Sequence, residues 1–266
     1  MPEIQKVIPL PVFGPGGKVI ERPLFCCGPG TSSMDAAWEL ISSGELPVWG
    51  AVLMEAQNSG RGRMGRAWQS PKGHIYGAVR LPLAPPFDGP GASLALAFLL
   101  AESLRPIGWE TSIKWPNDLI FQGGKVGGIL LELKGDSLIA GVGFNLKSPP
   151  EGPWRKERDP GAPPPAALPF EGPPEDLWPM LVKNCILLYS NGFGGQGLSG
   201  LTGLIEDRLL WRGQNVRVER PASDPPAPDN GFTGRIEGLG PDGQLRLSSR
   251  GQEYQLWSGT LLLSDY

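Results

Sequence analysis

The chain has one histidine, His74, and three cysteines, Cys26, Cys27 and Cys185, in 266 residues. That scarcity excludes zinc sites of Cys/His type and hydrolases with two histidine roles, and no G-x-S-x-G elbow occurs. His74 opens an apolar stretch and reads as a structural strand residue. An odd cysteine count, two of them adjacent and none preceded by a signal-like apolar run, reads as three free thiols in a reducing cytoplasm. Long apolar runs are missing too: Leu94 to Ala101 stops at Glu102, far too short to span a bilayer. No charge sign dominates, since 24 basic and 27 acidic residues leave a net charge of −3. The overall field therefore recruits neither nucleic acid nor an anionic membrane.

Glycine (39) and proline (30) are abundant, but ten of the prolines fall between Pro149 and Pro174. That segment lacks periodicity and reads as a mobile flap or disordered insertion, while a 40% hydrophobic content supports a folded remainder. Residues 1–30 hold six prolines around short apolar pieces, which fits an extended lead-in with an edge strand and leaves no room for a helix-turn-helix.

One loop dominates the chemistry. Gln57 to Gly73 reads Q-N-S-G-R-G-R-M-G-R-A-W-Q-S-P-K-G and follows strand-like residues Val48 to Ala56. Gly60, Gly62 and Gly65 alternate with Arg61, Arg63 and Arg66, so backbone N–H groups and guanidinium forks can converge on a carboxylate or phosphate. A solvated basic turn is the plainer reading. A dinucleotide fingerprint is a third, although it needs a helix after Gly65 and Pro71 leaves no space for one.

Upstream, Ser32 and Ser33 precede a one-sided apolar run closed by Gly44, the pattern of a capped helix. Downstream come a strand over Ile75 to Pro82 and a buried helix over Ala92 to Leu104. In T-S-I-K-W-P-N-D-L-I-F-Q-G-G-K-V-G-G-I-L-L-E-L, residues 111–133, a turn at 116–118 and a hairpin at Gly123-Gly124 bring Lys114, Asn117 and Lys125 near one another. They can supply point charges and an amide to one ligand, or simply be solvated. Leu138 to Leu146 is a strand with small residues and a polar Asn145. Glu175 to Tyr189 and Leu201 to Trp211 read as helices. Five short strands follow: Val216 to Glu219, Phe232 to Glu237, Gln244 to Ser248, Glu253 to Trp257 and Thr260 to Leu263. They suit a small barrel and place a boundary near Arg212, giving parts 1–212 and 213–266 of an α+β protein.

Together, G-R-G-R-M-G-R-A-W, K-W-P-N-D-L with Lys125 and G-G-I-L-L-E-L, and G-V-G-F-N-L resemble the ordered signatures of biotin protein ligases. Thr31 to Asp35 resembles that family's S-T-N-D helix start, with Met34 in place of the usual asparagine, and G-L-G-P-D-G-Q-L-R-L resembles a hairpin of its C-terminal domain. The resemblance implies a mixed β-sheet catalytic domain with a small SH3-like β-barrel. It implies formation of biotinyl-5'-AMP from biotin, ATP and Mg2+, then transfer to a lysine of a biotin carboxyl carrier domain. By the same resemblance Ser32, Ser33, Gln57 and Gly60 hold the ureido end of biotin, and Arg61, Gly62 and Arg63 order the loop over carboxylate and phosphate. Lys125 bridges the two anions, Lys114, Asn117 and Asn145 serve the nucleotide, and Trp68 lies against adenine. Metal ligands remain unassigned. The implied protein is a cytoplasmic monomer or homodimer without the DNA-binding domain of the repressor type. A lipoate or octanoate ligase of the same superfamily and an RNA-binding arginine loop are the alternatives.

Overall fold

The computed structural model describes residues 1–13, 19–149, 161–224 and 231–264. Elements follow in the order β1 (Ile4–Phe13), β2 (Val19–Cys27), α1 (Ser33–Ser42), β3 (Ala51–Met54), β4 (Ile75–Leu81), α2 (Ala92–Leu104), β5 (Thr111–Lys114) and β6 (Asp118–Phe121). Next are β7 (Gly124–Lys134), β8 (Ser137–Phe144), α3 (Pro174–Leu188), α4 (Thr202–Glu206), β9 (Asn215–Asp224), β10 (Phe232–Leu239), β11 (Leu245–Ser249) and β12 (Gln252–Leu263). Eight strands form one sheet in the order β1-β2-β3-β4-β8-β7-β6-β5, and the last four close a barrel. Among the described strands only β2 and β3 pair in parallel, joined across α1, so the sheet is mixed.

Period-two alternation sorts the sheet into two faces. Leu24, Cys26, Ala51, Leu53, Val79, Ala140 and Val142 point to one side and join the main core with α2 and α3. Phe25, Cys27, Val52, Met54, Tyr76, Ala78 and Ile139 point to the other, against α1. The main-core side is thick, because α2 buries eleven of its thirteen residues between sheet and neighbours. That burial explains its apolar character all round. Trp178 of α3 comes down onto Gly77, where a Cβ would strike the indole, and donates its Nε1–H to the Val52 carbonyl (3.0 Å). The α1 side stays open at β7 and β8, where Gly128, Gly141 and Gly143 replace the bulk that a filled core would have.

Three expectations change. Leu201 to Trp211 is helical only over α4, because the chain after it is drawn to the sheet edge: Ile113 N–H donates to the Arg208 carbonyl (2.7 Å) and Leu210 N–H to that of Ile113 (2.9 Å). The barrel has four strands among the described residues, not five. Residues 256–260 pass through two register irregularities instead of a turn, so β12 stays continuous and pairs with both β11 and β9. Of the proline-rich stretch, 150–160 lie outside the described residues, but 161–173 is no free flap. Ala166 N–H donates to the Lys125 carbonyl (2.8 Å), Leu168 N–H to that of Asn145 (2.9 Å), and the Leu168 side chain is wholly buried. No helix among the described residues is long and apolar enough to cross a membrane.

Candidate functional site

Ser32 has the extended backbone of an N-cap, and its hydroxyl accepts from the Asp35 amide (3.1 Å). Its neighbour Ser33 points inward, donating Oγ–H to the Gly77 carbonyl (3.2 Å) and its amide to Gln57 Oε1 (2.7 Å). Gln57 completes the chain by donating Nε2–H to Ser70 Oγ (2.8 Å). Three neutral polar side chains thus stand together where α1 begins.

The arginine loop folds back on itself. Gly62 N–H donates to the Arg66 carbonyl (2.7 Å), Trp68 N–H to that of Gly60 (2.9 Å), and Met64 (φ 57°) and Gly65 (φ 70°) make the left-handed tip. Gly62 therefore spends its N–H inside the loop, contrary to the expectation that bare amides converge on an anion. Gly60 has no room for a side chain, since a Cβ would lie 2.6 Å from Ser70 Oγ. Arg61 turns away to Asp35 and Glu132. Arg63 turns inward: Nη1 donates to Asn117 Oδ1 (3.2 Å), and burial lowers its pKa while the charge of Asp118 raises it. It stays a cation at any ordinary pH.

Trp68 lies over the glycine floor. A Cβ on Gly143 would come within 2.7 Å of the indole and one on Gly128 within 3.4 Å, so these glycines admit the ring. Its buried Nε1–H has no acceptor among the described residues. Lys125 Nζ sits 5.4 Å from the ring centroid and 2.8 Å from Asp118 Oδ1. Asn117 ties the turn before β6 to β7 through Nδ2–H to the Ile129 carbonyl (2.7 Å), and Asn145 donates Nδ2–H to the Ala166 carbonyl (2.9 Å). Lys114, mostly buried, lies 5.7 Å over the Trp211 ring.

These groups surround a cavity of about 480 Å3. Ser32, Ser33, Gln57, Arg61, Gly62, Arg63, Trp68, Lys114, Asn117, Lys125 and Asn145 all line it, whereas Gly60 stands behind the wall. Sequence reasoning gave no role to Asp118, although it belongs to K-W-P-N-D and lines the cavity, as does Arg66 of the arginine loop. It could not find Gly259 and Thr260, which β12 brings to the cavity by tertiary packing alone. Met34 places a thioether on the wall, and a Cβ on Gly141 would meet its Sδ at 2.5 Å. Among the described lining residues Asp118 is the single carboxylate, and no group of three metal-ligating side chains occurs among the described residues. His74 is outside the cavity lining, its Nδ1 accepting from the Leu146 amide (3.0 Å).

Residues 27–147 match the Biotin/lipoate A/B protein ligase family. The chain is 40% identical over 111 residues to the bifunctional ligase/repressor BirA of Escherichia coli, covering 39% of this chain and 35% of that protein. It is 36% identical over 129 residues to a biotin--[acetyl-CoA-carboxylase] ligase of Paracoccus denitrificans, covering 44% of this chain and 51% of that protein. The matches thus span about a third to a half of these curated relatives. Among solved structures, the biotin protein ligase from Aquifex aeolicus in complex with biotin and ATP superposes with a TM-score of 0.74 at 25% identity, over 91% of this chain and 99% of that one.

Proposed function

From the match of residues 27–147 to the biotin/lipoate A/B protein ligase family, we propose that the chain is an ATP-dependent biotin protein ligase. The observation that carries this is the polarity of the cavity along its length. Neutral donors and acceptors (Ser32, Ser33, Gln57) stand at one end, a floor of glycines under Trp68 lies between, and Arg63, Lys125 and Lys114 stand at the other. Biotin has the same order of parts: a neutral ureido bicycle, an apolar chain and a carboxylate.

In the first half-reaction a biotin carboxylate oxygen attacks the α-phosphorus of ATP and pyrophosphate leaves. Two anions must meet, so fixed cations lower the barrier more than any nucleophile could. Lys125 is the group for this task, held by Asp118 at 2.8 Å until a ligand anion competes for it. Arg63, tethered to Asn117 by one bond, keeps donors for phosphate. In the second half-reaction a lysine amine of a biotin carboxyl carrier domain attacks the acyl carbon and AMP leaves. Magnesium would enter with ATP; with Asp118 as the one carboxylate among the described lining residues, such an ion would ride mainly on phosphate and water oxygens. We read residues 1–212 as the catalytic part and 213–266 as an SH3-like barrel. The three buried free thiols favour a cytoplasmic setting, and either a monomer or a homodimer fits this reading.

The test is incubation with α-labelled ATP and magnesium, separately with biotin, lipoate and octanoate, without acceptor. Labelled adenylate from biotin alone is expected. Adenylate from lipoate or octanoate alone, or none at all, overturns the reading. Lys125→Ala is expected to lose at least about 100-fold in adenylate formation, as loss of an electrostatic stabiliser does, with an unchanged circular dichroism spectrum.

A further inference from the structure

Arg61 lines the cavity, yet its bonds point out of it. Nη1 donates to Asp35 Oδ2 (3.2 Å), and Nη2 to Asp35 Oδ1 (2.8 Å) and Glu132 Oε1 (3.3 Å). Three of the five guanidinium N–H groups are thereby engaged, and both Asp35 oxygens are taken. The second Glu132 oxygen accepts from Trp38 Nε1 (2.8 Å), and Lys134 Nζ stands 4.5 Å over that indole. Asp35 sits in the first turn of α1, where the helix dipole favours a carboxylate, and Arg61 itself holds the Asp35 pKa below its ordinary value.

The bonded parts belong to three elements: the arginine loop, the start of α1 and the far half of β7. Ser32 and Ser33, at the neutral end of the cavity, are three and two residues from Asp35. We propose that Arg61 is a latch and not a ligand contact, and that Asp35 and Glu132 are positioning residues that hold the loop over the cavity and so set how long an acyl-adenylate is retained. One exposed ion pair is worth little. A guanidinium gripped by two carboxylates, one of them braced by an indole, has its geometry fixed on both sides and resists opening as a unit. The contact reading predicts the opposite response. If Arg61 served the phosphate directly, removing Asp35 would free it and leave retention intact.

The proposal rests on the ligase reading, and its test separates the two. Wild type and the variants Asp35→Asn, Glu132→Gln and Asp35→Glu are loaded with biotin and α-labelled ATP, then spin-filtered. Free labelled adenylate is expected to rise roughly fivefold in Asp35→Asn and Glu132→Gln, the factor that about 1 kcal/mol of lost pairing gives. Asp35→Glu, which keeps the carboxylate, is expected to restore most of the retention, and raised salt to reproduce the leak in wild type. In ligand-free protein, trypsin is expected to cut after Arg63 and Arg66 faster in the two neutral variants. Unchanged retention together with unchanged cleavage overturns the latch, whereas a wild-type chain that makes no adenylate but shows the cleavage difference overturns the ligase reading alone.

Discussion

The Leu146 amide can only donate, so His74 Nδ1, 3.0 Å away, has to stay unprotonated in the fold. Burial pushes the same way and lowers the His74 pKa below its ordinary value of about 6.5. The sign follows from proton counting. Below that ordinary value the unfolded chain binds a proton that the folded chain refuses, so stability falls as pH drops toward the lowered pKa. His74→Asn keeps an acceptor for Leu146 and removes the titration. Its thermal midpoint is expected to fall less steeply than wild type between about pH 7 and pH 5; identical slopes would assign the pH dependence to other groups. His74 was legible as structural because it stands alone. Arg61 and Arg63 were not distinguishable by sequence, since both lie in one glycine-arginine pattern. What separates them is the location of Asp35, Glu132 and Asn117, which come from three other elements.

At the scale of elements, periodicity served well where one residue pattern decides one environment. The α2 boundaries fall where the apolar run begins and ends, and α1 starts at its serine cap. It failed where pairing partners decide. Backbone from Arg208 to Leu210 has helical composition but meets an open strand edge at Ile113, and ladder hydrogen bonds win. Proline content likewise hid the strap at 161–170, whose fixing bonds run to Lys125, Asn145 and Lys147. Leu168 is the strap's anchor in the core, without exposure. Leu168→Ala is expected to cost about 2–4 kcal/mol, as cavities at buried leucines do, measured by urea unfolding; a loss under about 0.5 kcal/mol would mean that the hydrogen bonds alone hold the strap.

Across the whole molecule, the barrel is fastened to the segment that presents Asn117 and Asp118. Trp115, buried in that segment, donates Nε1–H to the Gly243 carbonyl in the β10–β11 turn (2.9 Å). Trp115→Phe leaves this carbonyl without its donor at a cost of about 1–3 kcal/mol. We expect denaturant unfolding to split, the barrel coming apart before the sheet. A single transition at the wild-type midpoint would show that the bond carries no coupling. The general layout, sheet first and barrel last, was legible from the change of strand spacing after residue 212, but this fastening joins residues more than a hundred positions apart.

The same contact brings backbone against backbone. A Cβ on Gly91 would lie 2.7 Å from the Asp242 carbonyl oxygen, and one on Gly243, whose φ is +86°, would lie 3.0 Å from the Gly91 Cα. Two glycines therefore license one seam, and neither can be relaxed by altering the other. In the currency of inheritance, the barrel is not a cassette. A recombinant that took its barrel from another lineage would have to bring a glycine at 243 to meet the glycine already at 91, or start life with barrel and sheet pried apart beside Trp115.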